Sequence, residues 1–258
     1  MWEEWHRLVE AQGSEVRLSH VGERITQADG KAQLVEASGP KGVVALDASH
    51  VISSMPLPLL LRAMDPPIPA HIRHAADGLK FRDFLTVALV VPREDGFEDN
   101  WIYIHAPDVK VGRVQNFGQW SPHLVKDGRT CLGLEYFVTE GDNLWSSSDE
   151  DLVHLGTQEM SHLGLLDPGR VQAGYVVRMP KAYPMYDTDY QHNVEVLRSW
   201  LSENATNVYP VGRNGMHRYN NQDHSMLTAM LTVENILGTG FHDIWQVNVE
   251  EDYHEEIR

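Results

Sequence analysis

Apolar positions recur along this chain in two rhythms, one of about three and a half residues and one of two. Trp2, Trp5, Leu8 and Val9 sit at helical spacing before Gly13, which predicts an amphipathic helix over residues 2–12. Short extended runs follow: Glu15–Leu18, Glu23–Gln27, Ala32–Glu36, Gly42–Leu46 and a last short one inside Asp47–Ser54. Asp29-Gly30, between two of these runs, is a hairpin signal. Pro66–Pro69 opens a helix with Ile72, Ala75, Ala76 and Leu79 periodic. The nearly continuous apolar run Phe84–Val91 predicts a strand buried on both faces. Trp101–His105, Gly112–Phe117, Thr130–Val138 and Ala173–Met179 read as further strands. Ser147-x-x-Glu150 and Ser148-x-x-Asp151 are capping-box patterns ahead of a helix holding Leu152, Leu155, Met160 and Leu163. Residues 180–186 read as a loop with two aromatics, and Asp189–Leu201 as a helix. The class is α/β with α+β character.

The stretch from residue 209 to 238 has the densest set of backbone signals. Tyr209-Pro210-Val211 reads as a strand running into Gly212 and Gly215, which permit positive φ or a close backbone approach. Asn220 and Asn221 are good N-cap residues, and Asp223 falls in the first turn. Met226, Leu227, Met230, Leu231, Glu234 and Leu237 continue at helical spacing until Gly238. A strand, a glycine loop and a helix N-terminus direct free N–H groups and a helix dipole at one spot, so they can cradle an anion or cofactor. An ordinary strand–loop–helix has the same pattern.

Composition narrows the partners. Over 258 residues the net charge is −16, which argues against nucleic acid and anionic membrane and for a small neutral or cationic substrate or a protein partner. One cysteine, Cys131, excludes a disulfide framework and fits a reducing cytoplasm. The longest apolar run, Met55–Met64, is short and broken by Pro56, Pro58 and Arg62, so no membrane span is expected. The fourteen histidines scatter, and the adjacent pair Asp223–His224 lacks the i,i+4 spacing of helical metal ligands, so no metal is expected. Cys131, inside an apolar strand, reads as an inert core residue. Glu250, Glu251, Asp252, Glu255 and Glu256 read as a solvated acidic end.

Gly212-Arg213-x-Gly215, followed by Tyr219, Asp223 and His224, resembles the C-terminal flavin motif of the FAD-dependent family that includes amine oxidases, protoporphyrinogen oxidase, phytoene desaturases and UDP-galactopyranose mutase. These residues look most like the mutase branch; the rest of the chain looks more like the bacterial protoporphyrinogen-oxidase-like branch. Asp47–Pro56, with Ala-x-x-Val-Ile-Ser-Ser-x-Pro, resembles the family's crossing from the FAD domain into the substrate domain. The resemblance implies FAD beside Val21, Gly212, Arg213, Gly215, Tyr219, Gln222, Asp223 and His224. It implies that residues 1–54 and 205–258 form part of a split FAD-binding domain. Residues 55–204 then form a substrate-binding domain with a mixed sheet and flanking helices. Ala182-Tyr183-Pro184-Met185-Tyr186 resembles the family's Ala-x-Pro-x-Tyr segment near flavin and substrate, which makes Tyr183 and Tyr186 catalytic candidates. Where the amine oxidase branch has Asp after the first glycine, this chain has Arg213, a positive charge in place of the ribityl hydrogen bond.

The implied activity is hydride transfer from substrate to flavin. A sugar-nucleotide mutase using reduced flavin is the alternative, and a non-catalytic piece needing a partner is a third. The family's glycine fingerprint G-x-G-x-x-G is absent from these residues. The chain is therefore expected to be a C-terminal portion or one subunit, inactive alone. It is expected to form a homodimer or to meet a partner chain carrying the dinucleotide-binding half. Arg113 and Arg178 lie in predicted strands and would suit an anionic substrate if they face inward. Asn116–Pro122 reads as a surface loop or a cavity wall.

Overall fold

The computed structural model describes residues 1–249. The acidic end at 250–256 lies outside the described residues. The chain forms two compact units, one of Met1–Leu79 with the chain from Tyr186 onward, the other Lys80–Met185.

The first unit opens with helix α1 (Trp2–Ala11), then a meander of β1 (Val21–Ala28), β2 (Lys31–Gly39) and β3 (Gly42–Asp47). The β1–β2 turn places Asp29 at φ 53 and Gly30 at φ 74, the left-handed pair that a two-residue hairpin of this twist requires. Next come β4 (Val51–Ser53), α2 (Leu57–Arg62), β5 (Met64–Asp65) and α3 (Ala70–Gly78). The meander sheet has the order β3-β2-β1-β5.

The second unit holds β6 (Phe81–Pro92), β7 (Trp101–Tyr103), β8 (Arg113–Asn116), the single turn α4 (Phe117–Trp120), β9 (Arg129–Val138), α5 (Asp149–His162) and β10 (Ala173–Pro184). Its antiparallel sheet has the order β10-β6-β9-β8-β7. One face buries Leu85, Val87, Leu89, Leu132, Leu134 and Tyr136 with Leu152 and Met160 of α5. A Cβ on Gly156 would lie 2.8 Å from Leu134, so a glycine there lets α5 lie close on the sheet. The Ser148 side chain caps α5, accepting from the Asp151 N–H at 3.1 Å. Arg178 braces the same helix start by donating to the carbonyls of Trp145 and Ser147 and to the Asp149 carboxylate. Beneath α5, the buried Glu159 carboxylate accepts from Lys110 N, Val111 N and the Tyr136 hydroxyl. Burial and that carboxylate raise the Tyr136 pKa. Burial likewise raises the Cys131 thiol pKa, which keeps it protonated and unreactive.

The chain returns to the first unit with α6 (Tyr190–Asn204), β11 (Val208–Pro210), the short α7 (Gly212–Gly215) and α8 (Gln222–Leu237). Leu57, Leu60 and Leu61 of α2, Ile72 and Ala76 of α3, and Leu197 and Leu201 of α6 join Ile25 and Ala32 in one core. Each fully buried leucine there contributes about 1.5–3 kcal/mol. α2, α3 and α6 thus pack with the meander in this core. β4 pairs with β11 in parallel, Val51 to Val208 through Ser53 to Pro210, which joins residues 51–53 to 208–210.

Three local expectations change, and one element appears that no expectation covered. Glu15–Leu18 is not a strand: it has no ladder, and its exposed Arg17 pairs with Glu15 at 2.5 Å. β6 alternates buried and half-buried positions, so only one of its faces is sealed. Residues 180–184 are not loop; β10 runs through to Pro184, with a register shift between Met179 and Tyr183 where Lys181 takes φ 54. The proline-broken run at 55–64 holds α2, since Pro58 sits in the first turn, where its missing N–H costs nothing.

Asn207 clamps the return. Buried, it accepts from Ala32 N at 2.7 Å and donates to Ala32 O and Ser49 O at 2.8 Å each. Replacing it with leucine takes away the side-chain partner of both buried Ala32 backbone groups and of the Ser49 carbonyl. Asn207→Leu is expected to cost about 2–4 kcal/mol in chemical denaturation; a loss below about 0.5 kcal/mol would contradict the clamp.

Candidate functional site

The site grows from the β4–β11 pair. Val211 N donates to Ser53 O at 2.9 Å, which carries the parallel ladder one residue past the strands. Gly212 then turns at φ 75, a conformation that favours glycine. Its N–H donates to Thr228 Oγ1 at 3.0 Å, which ties the loop to the middle of α8. Gly215 is required for a different reason: a Cβ there would stand 2.6 Å from the Ser53 carbonyl oxygen.

α8 begins in a capping box in which the Asn221 side chain receives the His224 N–H and His224 Nδ1 accepts from Asn221 N. Gly238 closes the helix at φ 70. Once Asn221 has taken the His224 N–H, the N–H groups of Gln222 and Asp223 remain as first-turn donors among the described residues. In front of this N-terminus lies a cavity of about 600 Å³ lined by Gly212, Arg213, Asn220, Asn221, Gln222, Ser225, Met226 and Ala229, with Ile52, Ser54, Val211 and Trp2 completing the wall.

Of the residues expected around a cofactor, Gly212, Arg213 and Gln222 therefore line one cavity. Gly215 sits behind it against β4. Arg213 donates from Nε to Asn220 O at 2.8 Å and from Nη2 to Asn221 Oδ1 at 3.3 Å, and its guanidinium lies 4.6 Å from the Tyr219 ring centre. It thus braces the loop and keeps a positive charge beside the helix start. His224 works as the cap, Asp223 is exposed beside it, and Val21 starts β1 as an exposed residue outside the cavity lining. Trp2, Ile52, Ser54 and Met226 line the cavity without having been singled out for it. They come from α1, β4, the residue after it and α8, segments far apart in the chain, and no local pattern carries that.

The two catalytic candidates fall in different units. Tyr186, in the first, stacks on Tyr190 at 4.4 Å, and its hydroxyl accepts from Tyr219 N at 2.6 Å. Burial raises its pKa, against the lowering effect of that N–H. Tyr183, in the second, sits edge-on to Phe84 at 5.9 Å and near Phe137 at 6.4 Å. Among the described residues no group of three or more His, Cys, Asp and Glu side chains converges as metal ligands would, and no helix is long and apolar enough to cross a membrane.

α8 carries its apolar face outward. The residues it buries are Thr228 and Thr232, both hydrogen bonded, whereas Leu227, Met230, Val233 and Leu237 are exposed, Met230 at 59 %. α1 buries nothing, and Trp2 and Trp5 are 55 % and 54 % exposed.

This arrangement of meander, five-stranded sheet and flavin-type loop and helix is a known fold. No protein-family model matches the sequence, and no curated protein does. Solved structures do match. A reduced UDP-galactopyranose mutase aligns at TM-score 0.76 and 20% identity over 92% of this chain and 52% of its own. A protein assigned as a protoporphyrinogen oxidase from Exiguobacterium sp. aligns at TM-score 0.62 and 18% identity over 89% and 51%. Putrescine oxidase bound to putrescine aligns at TM-score 0.62 and 16% identity over 92% and 53%. These are flavin amine-oxidase-like proteins, so the fold implied by the motif at 212–224 is the fold of this chain. The chain spans about half the length of each.

Proposed function

We propose that this chain is the C-terminal, substrate-binding portion of an FAD-dependent oxidoreductase that transfers hydride from substrate to flavin. Residues 1–54 and 205–258 contribute the FAD-binding part and 55–204 the substrate-binding part. The observation that carries this reading is the cavity lined by Gly212, Arg213 and Gln222 at the start of α8. The donor set suits a flavin: a helix N-terminus and a nearby guanidinium favour the negative charge that accumulates on the reduced ring. The flavin, when bound, supplies the redox chemistry. The protein supplies donors from the α8 N-terminus, the Arg213 charge, and an apolar wall that includes Ile52 and Met226. Tyr183 and Tyr186 are the candidates for contact with substrate.

The pyrophosphate of FAD needs donors that a glycine fingerprint would provide and these residues do not. The chain alone is therefore expected to take FMN weakly, on the order of tens of micromolar or above, and not to retain FAD on purification. Titration of the full chain followed by flavin fluorescence measures this. Ser225→Trp, which fills the cavity from its helix wall, is expected to weaken binding by at least about tenfold. Equal quenching by wild type and variant, or none by wild type, counts against the flavin reading.

A second reading, a flavin-dependent sugar-nucleotide mutase, is favoured by Arg213 and by the higher TM-score of the mutase alignment. Spectra of the chain complemented with a dinucleotide-binding half separate the two. An oxidoreductase substrate bleaches the oxidised flavin, whereas a mutase acts only after prior reduction.

The outward apolar faces of α1 and α8, and the two-stranded parallel β4–β11 ladder, fit burial against a further parallel α/β half. Without it, the chain is expected to associate through this face as a defined dimer, limited by its charge of −16. Sedimentation velocity over a range of concentrations checks this; a strict monomer at the highest concentration would overturn it.

A further inference from the structure

The second unit carries another cluster, on the sheet face opposite its leucine core. Strand register aligns Thr86, Glu135, Arg113 and Tyr103 across β6, β9, β8 and β7. The neighbouring row is Ala88, Gly133, Gln115 and Trp101. α4 folds over this second row. Gly133 makes room for it, since a Cβ there would lie 2.8 Å from the Phe117 ring. Trp120 reaches Gln115, its Nε1–H donating to Oε1 at 3.1 Å, and its ring centre lies 4.9 Å from that of Trp101.

A donor and acceptor inventory decides what this face offers. Glu135 is 1 % exposed and accepts from Arg113 Nε–H and from Gln115 Nε2. The Gln115 oxygen is taken by Trp120. The acceptors on the floor are thus engaged and covered. Arg113 has five donors, of which Nε–H is taken by Glu135. Its side chain, at 18 % exposed, is the more accessible end of the ion pair. It lies 5.9 Å from the Trp101 ring centre and 5.7 Å from that of Tyr103, so the place a ligand cation would take among these rings is already filled. Trp101, Tyr103 and Trp120 keep exposed aromatic surface around it.

We propose that this face binds a planar aromatic ligand bearing an anionic oxygen, carboxylate or phosphate, with the oxygen received by Arg113 and the ring lying against Trp101, Tyr103 and Trp120. Glu135 is a positioning residue, holding the guanidinium flat and charged. The Arg113 pKa is raised, the Glu135 hydrogen bond and charge outweighing burial. The proposal deepens the reading of residues 55–204 as the substrate-binding part by naming a ligand class, and it excludes simple amines from this position.

The test needs no flavin, so it fails independently of the cavity at α8. The full chain is titrated with phenyl phosphate, benzoate and benzylamine, and tryptophan fluorescence is followed. The double variant Arg113→Gln/Glu135→Gln removes both charges together and leaves no lone buried ion. Trp120→Ala, which truncates an exposed ring, serves if the double variant does not fold. Binding of either anion, weakened at least tenfold in the variant and absent for benzylamine, supports the site. The preferred anion then distinguishes a phosphate from a carboxylate ligand. Benzylamine binding as tightly as the anions, anion binding unchanged in the variant, or no binding of either anion by wild type overturns it.

Discussion

The first unit depends on one parallel pairing, β4 with β11. It is only three residues long on each side, yet it joins segments separated by more than 150 positions. A ladder this short needs help from side chains, and Asn207 provides it by bonding both backbone groups of Ala32 and the carbonyl of Ser49. Gly215 lies against Ser53 from the other side, and only a residue without a side chain fits there. The turn at Gly212, the Arg213 brace and the start of α8 all take their positions from this junction. The cavity in front of α8 is therefore a tertiary product of the β4 and β11 ends, not a property of the glycine loop alone.

In α8 the larger apolar residues do not mark the buried side. Leucines and methionines at helical spacing ordinarily mark the buried side. Here the buried side is Thr228 and Thr232, whose hydroxyls satisfy the Gly212 N–H and the carbonyls of Ser225 and Thr228. The Gly212 N–H finds its acceptor in the Thr228 hydroxyl, so this side of α8 faces the loop while the larger apolar residues stay exposed. α1 has the same character: an amphipathic helix of ten residues that buries none of them. Helices this short are marginal in water without a packing partner.

In the second unit, polar groups are sorted by face. Below the sheet, Glu159 satisfies two backbone N–H groups and the Tyr136 hydroxyl, so a buried carboxylate serves packing. Above it, Glu135 is as deeply buried but spends its oxygens on Arg113 and Gln115, leaving a guanidinium as the accessible end. Two buried glutamates, one on each side, thus have different consequences.

The sequence by itself determined most elements. Period-two and period-3.6 runs place β1–β3, β6, β9 and α3, α5 and α8, and the Asp29-Gly30 turn and Gly238 cap follow from backbone sterics that any fold must obey. The strand, glycine turn and helix start at 209–222 were legible for the same reason, and the flavin-type fold around them rested on motif resemblance. Tertiary structure decided what local pattern cannot encode. Glu15–Leu18 has strand propensity, but a strand needs a neighbour to bond to. Residues 180–184 look like loop because of two prolines, but pairing with β6 at the bulge keeps them extended. The face of α8 that is buried, the placing of Trp2 beside Gly212, and the pairing of Arg113 with Glu135 each depend on residues far apart in the chain. Distance in three dimensions, set by packing, decides those.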